Sequence, residues 1–201
     1  MQQQQILLAS ASPRRAQLLN QIGVCFHVQA QDIDETIRQG ELPAHYVMRM
    51  AEEKAESALS RLGTDQQSTL VLAADTSVVC DAEVLGKPES QSDAVTMLQL
   101  LSGREHLVLS AVTLAGVEKQ ESLLSESKVR FRKITEAEAE RYYLSGEPIG
   151  KAGSYAIQGY GAVFVEQLIG SYSGVMGLPL FETAQLLSEF GIHGQQQNIQ
   201  A

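Results

Sequence analysis

The 201-residue sequence has no tryptophan, few other aromatics and only two cysteines. Cys25 and Cys80 are far apart, form no Cys-x-x-Cys pair and sit among apolar residues, so no disulfide framework is implied and both read as reduced core residues. The histidines His27, His45, His106 and His193 lack metal-ligand spacing, which argues against zinc. No stretch approaches the ~20 consecutive apolar residues of a membrane span, and Met1-Gln2-Gln3-Gln4-Gln5 has neither the basic nor the apolar region of a signal peptide. The expectation is a cytoplasmic protein with no membrane partner. Cations are also scarce, and a formal net charge of −9 excludes the broad basic stripe that nucleic-acid binding needs. Any anionic ligand must therefore be held locally, and a few concentrated cations beside spare carboxylates suit a small polyphosphate with a divalent metal. Three familiar machines are missing as well. There is no Gly-x-x-x-x-Gly-Lys-Ser/Thr loop, Gly159-Tyr160-Gly161 lacks the third glycine of a dinucleotide fingerprint, and no Gly-x-Ser-x-Gly elbow offers a serine nucleophile.

What is present is a 44% hydrophobic chain, enough for one sizeable core. Its order of strands and helices predicts an α/β domain over residues 1–193, built on a mixed sheet with two lobes around a cleft, followed by a disordered glutamine-rich tail over 194–201. The chain is organised around its first strand-to-helix corner. Ile6-Leu7-Leu8 gives way to Ser12 as N-cap and Pro13 at the first helical position, where its missing N–H costs nothing. Arg14 and Arg15 then fall in the first turn, where free N–H groups and the macrodipole are already positive. Two cations there either stand solvated on a surface helix or join Ser10 and Ser12 in a phosphate cradle.

Two further charges sit where a core should be apolar. A strand over Gly23–Ala30 leads into the acidic loop of Asp32, Asp34 and Glu35, and a helix from Pro43 to about Leu62 carries Lys54 between Met50 and Val47, at the edge of its apolar face. That lysine must snorkel or find an anionic partner. Leu70–Cys80 reads as a long buried strand interrupted by Asp75, Thr76 and Ser77. A carboxylate in such a run is costly to desolvate unless it binds a cation, accepts hydrogen bonds or has a raised pKa at a site mouth. Asp81-Ala82-Glu83 turns the chain, and Lys87 in Gly86-Lys87-Pro88 can double back toward Asp75. If a metal is used it is hard: Asp75 with Asp32, Asp34 or Glu35 suits Mg²⁺ or Mn²⁺.

Further along, the pattern predicts a helix over Ser92–Ser102, strands over His106–Ala115 and Ser122–Ile134, a helix opened by the capping box Thr135-x-x-Glu138 and closed near Gly146, and a last helix over Pro179–Phe190. Lys151–Val165 is rich in small residues and then β-like, which suggests close approach to a ligand or to another element. Tyr155 and Tyr160 read as packing residues, with stacking on a base as the alternative. These parts amount to phosphoryl chemistry: cations neutralise phosphates, a metal polarises phosphorus and a carboxylate orients or deprotonates water.

Ser10-Ala11-Ser12-Pro13-Arg14-Arg15, Asp34-Glu35, Ala51-Glu52-Glu53-Lys54-Ala55, Ala74-Asp75-Thr76, Leu85-Gly86-Lys87-Pro88 and Gly153–Gly161 together resemble, in order, the motifs of the Maf nucleoside triphosphate pyrophosphatases over about residues 6–190. The resemblance implies an elongated α/β fold related to the house-cleaning inosine triphosphatases, a Mg²⁺ or Mn²⁺ cofactor and a homodimer. The implied reaction is hydrolysis between the α- and β-phosphates, giving a nucleoside monophosphate and pyrophosphate. It makes Asp75 the proton acceptor, Glu35 a metal ligand or water-orienting carboxylate with Asp75 beside it, and Ser10, Ser12, Arg15, Lys54 and Lys87 holders of the phosphates. Thr76 and Gln158 match members that favour dTTP and UTP, whereas Gln and Glu stand there in the 7-methyl-GTP type; Arg14 is a third specificity position. A Gln amide can donate to a carbonyl and accept from N3–H of a uracil or thymine edge, which gives that preference a physical sense. The competing readings are 7-methyl-GTP hydrolysis and a nucleotide-binding regulator of cell division or septum formation.

Overall fold

The computed structural model describes residues 5–63, 66 and 68–192, so His193 and the glutamine-rich tail lie outside the described residues. Strand β1 (Ile6–Leu8) leads to helix α1 (Pro13–Gln21) and back to β2 (Phe26–Val28), which pairs with β1 in parallel. Only three residues of the expected Gly23–Ala30 strand pair, because the short β1 gives them nothing further to bond with. Helix α2 (Pro43–Leu59) is the crossover that a parallel connection requires, returning the chain to β3 (Leu70–Cys80) on the other side of β1. From there the sheet is antiparallel: β4 (Glu83–Leu85) folds back on the far end of β3, α3 (Gln91–Leu101) intervenes, and β5 (Glu105–Ala115), β6 (Gln120–Phe131) and β7 (Val165–Ile169) follow. The resulting order is β2-β1-β3-β5-β6-β7. Helix α4 (Glu136–Leu144) opens with the expected capping box, and the short α5 (Tyr172–Met176) and α6 (Leu180–Glu189) close the chain. No helix among the described residues is long and apolar enough to cross a membrane.

Strand alternation assigns the two faces of the sheet. Val71, Ala73 and Val79 of β3 point to α2, where they meet Ala55 and Ala58 or Val47 and Ala51. Asp75 shares their parity. On the opposite face Leu70, Leu72 and Ala74 join Leu18 and Leu19 of α1 and Leu186 and Leu187 of α6, whereas Val78 and Cys80 join a separate core with Leu98 of α3 and Ala139 and Tyr142 of α4. Each fully buried leucine here contributes about 1.5–3 kcal/mol relative to an exposed one. The two cores are the two lobes. Between them Thr76, Ser110 and Ser125 stand in register across β3, β5 and β6, a hydroxyl stripe in otherwise apolar strands. Helix α5 packs over this stripe, and Ser110 donates to the Gly174 carbonyl at 2.6 Å.

Other expectations change in detail. Asp75 and the hydroxyls do not interrupt β3, which is continuous over all eleven residues because β5 pairs with it from Val71 to Val79. Ser12 holds the N-cap position of α1 but its side chain makes no capping bond; its own N–H is instead directed to Ser10 Oγ at 3.2 Å. Cys25 is exposed rather than in the core, whereas Cys80 is buried. The β-like run after Gly161 is a 3-10 turn over Tyr160–Phe164, and the strand begins only at Val165.

Candidate active site

β3 is longer than its neighbours on one edge, and the site follows from that. β1 pairs with it only to Leu72, and β4 resumes at Val78. Between these points the edge of β3 has no strand partner, and the β1–α1 corner, the loop after β2 and the segment after β4 all converge on the gap. The result is a cleft of about 960 Å³ that brings together Ser10, Ser12, Arg14, Arg15, Glu35, Lys54, Asp75, Thr76, Lys87 and Gln158. Of the three loop acids, only Glu35 lines it. Asp32 does not, and Asp34 is turned to its own loop, where it accepts from the Thr36 N–H at 2.9 Å.

Lys54 does not snorkel. It is 8% exposed, and its Nζ lies 2.7 Å from Asp75 Oδ1 and 2.7 Å from Glu35 Oε1. Lys87, brought back by the β3–β4 hairpin, reaches the other Glu35 oxygen at 3.3 Å. Charges therefore alternate along one line, Asp75, Lys54, Glu35, Lys87. Burial would raise the Glu35 carboxyl, but the hydrogen bonds and charge of Lys54 and Lys87 outweigh it and hold the group below its ordinary value. Asp75 Oδ2 has no hydrogen-bond partner among the described residues, so one oxygen of that carboxylate stays available. The Glu35 loop is fastened to α2 from below: Tyr46 Oη donates to the Glu35 carbonyl at 3.0 Å, and Arg49 donates to Thr36 O at 3.1 Å while pairing with Glu41 at 2.6 Å.

The two arginines of α1 diverge. Arg15 is pinned, with Nε donating to the Gly177 carbonyl at 2.8 Å and Nη1 to Ser10 Oγ at 3.2 Å. Burial lowers its pKa, partly offset by the nearby Asp75 and Glu35 carboxylates. Gly177 follows α5, and α5 is seated by the relay in which Thr76 Oγ1 contacts Ser110 Oγ at 3.0 Å and Ser110 donates to Gly174. Thr76 thus lines the cleft with its hydroxyl already engaged, supporting the Arg15 anchor from beneath. Arg14 makes no ion pair among the described residues. Burial lowers its pKa, with Glu147 pulling it back up.

Lys151 was not among the residues the sequence suggested, yet it lines the same cleft; burial and the nearby Arg14 both lower its pKa, while Glu147 raises it. Its only sign in the sequence is position, at the head of the small-residue segment that ends near Gln158. Tyr155 is buried against the cleft wall with its hydroxyl 2.9 Å from His106 Nε2, and Tyr160 lies outside the cleft, stacked on Tyr142. Tyr155 is thus a packing residue, whereas Tyr160 is 63% exposed and neither buried packing nor placed to stack on a base in the cleft. Among the described residues no three His, Cys, Asp or Glu side chains cluster to hold a metal. Glu35 and Asp75 are a pair of hard oxygen donors, which fits a cation such as Mg²⁺ that takes one or two carboxylates and completes its shell with phosphate and water.

Residues 5–190 match a family described as Maf-like protein. A dTTP/UTP pyrophosphatase of Pseudoalteromonas atlantica is 50% identical over 187 residues, covering 93% of this chain and 97% of that protein. One of Shewanella oneidensis is 50% identical over 192 residues, covering 93% and 98%, and one of Vibrio vulnificus is 49% identical over 185 residues, covering 92% and 98%. Among solved structures, a HAM1 protein from Coxiella burnetii superposes with a TM-score of 0.51 at 13% identity, covering 93% of this chain and 100% of that one. At that identity the likeness speaks for the fold alone.

Proposed function

The chain belongs to the Maf-like protein family, and from that premise we propose that it is a nucleoside triphosphate pyrophosphatase hydrolysing dTTP and UTP to the monophosphate and pyrophosphate. The observation that carries the reading is the alternating line Asp75, Lys54, Glu35, Lys87 at the unpaired edge of β3, with Arg15 and Ser10 facing it across the same cleft.

In this reading Arg15, Lys54 and Lys87 neutralise the triphosphate. Arg15 is held in place before substrate arrives by its bonds to Gly177 and Ser10, so little reorganisation accompanies binding. Asp75 accepts through Oδ2 the proton of the water that attacks phosphorus as the α–β anhydride bond breaks, and the leaving oxygens meet the cations. Lys54, shared between Asp75 and Glu35, fixes both carboxylates. Glu35 and Asp75 would hold a divalent Mg²⁺ or Mn²⁺, which would supply further charge neutralisation and polarise the phosphorus centre. Gln158 is exposed and lines the cleft, as Arg14 and Lys151 do, and meets the base edge through its amide. The working unit is a cytoplasmic homodimer, a state that sedimentation of the purified chain tests.

The experiment that tests the activity is a panel of dTTP, UTP, 7-methyl-GTP and purine triphosphates with Mg²⁺ or Mn²⁺, scored for pyrophosphate. Pyrophosphate with dTMP from dTTP is the expected result. Orthophosphate with dTDP, or a kcat/KM for 7-methyl-GTP above that for dTTP, refutes the reading.

A further inference from the structure

Glu147 lies just beyond α4, outside every motif discussed so far, and makes the densest set of hydrogen bonds to the loop that bears Gln158. Its Oε2 accepts from the Tyr160 N–H at 2.9 Å, and its Oε1 accepts from the Gly161 N–H at 2.9 Å and from Tyr142 Oη at 2.6 Å. Tyr142 Oη in turn accepts from the Ala156 N–H at 3.1 Å. Gln158 is therefore straddled: Ala156, two residues before it, and Tyr160, two residues after it, are both bound to the Tyr142–Glu147 pair. Tyr142 is itself immobile, 1% exposed and packed edge-on against Phe164. The approach is so close that a Cβ at Gly159 would fall on the Glu147 carboxylate, and one at Gly161 would come within 2.6 Å of Tyr142 Oη. The glycines flanking Tyr160 are thus required by the clamp. Burial of Glu147 is outweighed by its three donors, which keep the group an ionised, acceptor-only carboxylate.

We propose that Glu147 is a positioning residue for base selectivity: with Tyr142 it clamps the Gln158-Gly159-Tyr160-Gly161 loop so that the Gln158 amide is presented to the base edge in one register. This rests on the reading above that Gln158 meets the base. Local anchoring is needed because the segment has no strand or long helix to hold it; between Ala156 and Gly159 the only backbone closure is Gly159 N–H to Ala156 O at 3.2 Å. An amide that must both donate and accept discriminates only while its orientation is fixed. The Glu147 charge also lies near Arg14 and Lys151, and Arg14 has its own part in the choice of nucleotide, so a changed ratio in a Glu147 variant does not by itself identify the clamp. The double variant with Gln158 separates the two routes, because only the one through the amide vanishes when the amide is gone.

The test measures kcat/KM for dTTP and for dATP in the wild type, E147A, E147Q, Q158A and the double variant E147A/Q158A. The dTTP-to-dATP ratio is expected to fall on the order of tenfold in E147A, through KM for dTTP, as two hydrogen bonds to the loop are lost. E147Q is expected to lie between E147A and wild type, since one amide oxygen can keep Tyr142 and Gly161 while its NH₂ opposes the Tyr160 N–H. This variant carries the test if E147A does not fold. E147A/Q158A is expected to match Q158A alone, because a clamp has nothing to orient once the amide is gone. A wild-type ratio in E147A and E147Q beside a collapsed ratio in Q158A overturns the inference and leaves Gln158 as the base reader. An additive double variant, or equal losses for both nucleotides in E147A, overturns it too. A wild-type ratio in Q158A overturns the reading of Gln158, and the inference falls with it.

Discussion

Lys54 of α2 and Asp75 of β3 meet at 2.7 Å across the helix–sheet interface, and each is the one charged group on the packing face of its element. The same ammonium reaches Glu35, so removing it strands two carboxylates at once. Asp75→Asn keeps the volume and a hydrogen-bonding oxygen for Lys54 but cannot take a proton. Turnover of dTTP is expected to fall at least a hundredfold with little change in thermal midpoint. Lys54→Ala is expected to lose both activity and about 1–3 kcal/mol of stability, the typical consequence of leaving a charged partner unsatisfied. Calorimetry beside initial rates distinguishes the two. Comparable destabilisation in both variants contradicts a chemical role for Asp75.

Arg15 and Arg14 are adjacent in sequence but face different partners. Arg15 is bound to Ser10 and Gly177 and senses Asp75 and Glu35; Arg14 senses Glu147. Arg15→Ala is expected to cut kcat/KM for every triphosphate by two orders of magnitude or so, as removal of a transition-state cation does. Arg14→Ala is expected to change the preference among nucleotides severalfold more than the mean rate. Uniform loss in both variants rules out this division of labour.

Arg49 does not line the cleft, yet its fork binds Glu41 and the Thr36 carbonyl and so fastens the loop that carries Glu35. Arg49→Ala is expected to lower kcat/KM about three- to tenfold by letting Glu35 wander. Arg49→Lys should rescue little of it, because a single ammonium cannot reproduce the planar fork. Wild-type rates for Arg49→Ala would show that Tyr46, which donates to the Glu35 carbonyl, suffices alone.

The cleft was largely legible in the sequence because its residues break local rules. A lysine on an apolar helix face, an aspartate in an apolar strand and two arginines at a helix N-terminus are each costly without partners, and the structure brings them together. The mixed sheet was legible from the order of strands and helices, and α2 from Pro43 and its apolar period. What was hidden obeys local rules or is too short to have a period. Glu147 and Lys151 are ordinary charges in an irregular segment, and their meaning comes from chain more than ten residues away in Tyr160 and from Arg14. Helix α5 is five residues long and contains Gly174, so no amphipathic pattern marks it. Thr76 reads as an interruption of its strand and, by resemblance, as a specificity position, and nothing in the sequence marks Ser110; only the register between β3 and β5 reveals a relay beneath Arg15.

His106 gives a pH dependence with a definite sign. It is 2% exposed, edge-on to Phe131 and Tyr155, with Nε2 on Tyr155 Oη and no partner for Nδ1 among the described residues, and burial lowers its pKa from 6.5 to about 4. Above pH 6.5 the ring is neutral in both folded and unfolded chains and stability does not depend on it. As pH falls from 6.5 toward 4, the unfolded chain takes up a proton that the folded one refuses, so stability drops by up to about 1.4 kcal/mol per pH unit and about 3 kcal/mol in all. Depressed carboxylates act in a lower window: Glu41 and Glu138, held at about 2 chiefly by hydrogen bonds from Arg49 and Arg132, lose their contribution only as pH falls below 4.5. The interval from pH 6.5 to 5 therefore isolates the histidine from both. Urea midpoints of the wild type should decline across it, and those of His106→Gln, whose amide can still meet Tyr155, should stay nearly level. Parallel declines in the two proteins would mean that His106 is protonated in the folded state and that its burial does not set the acid limit of the fold.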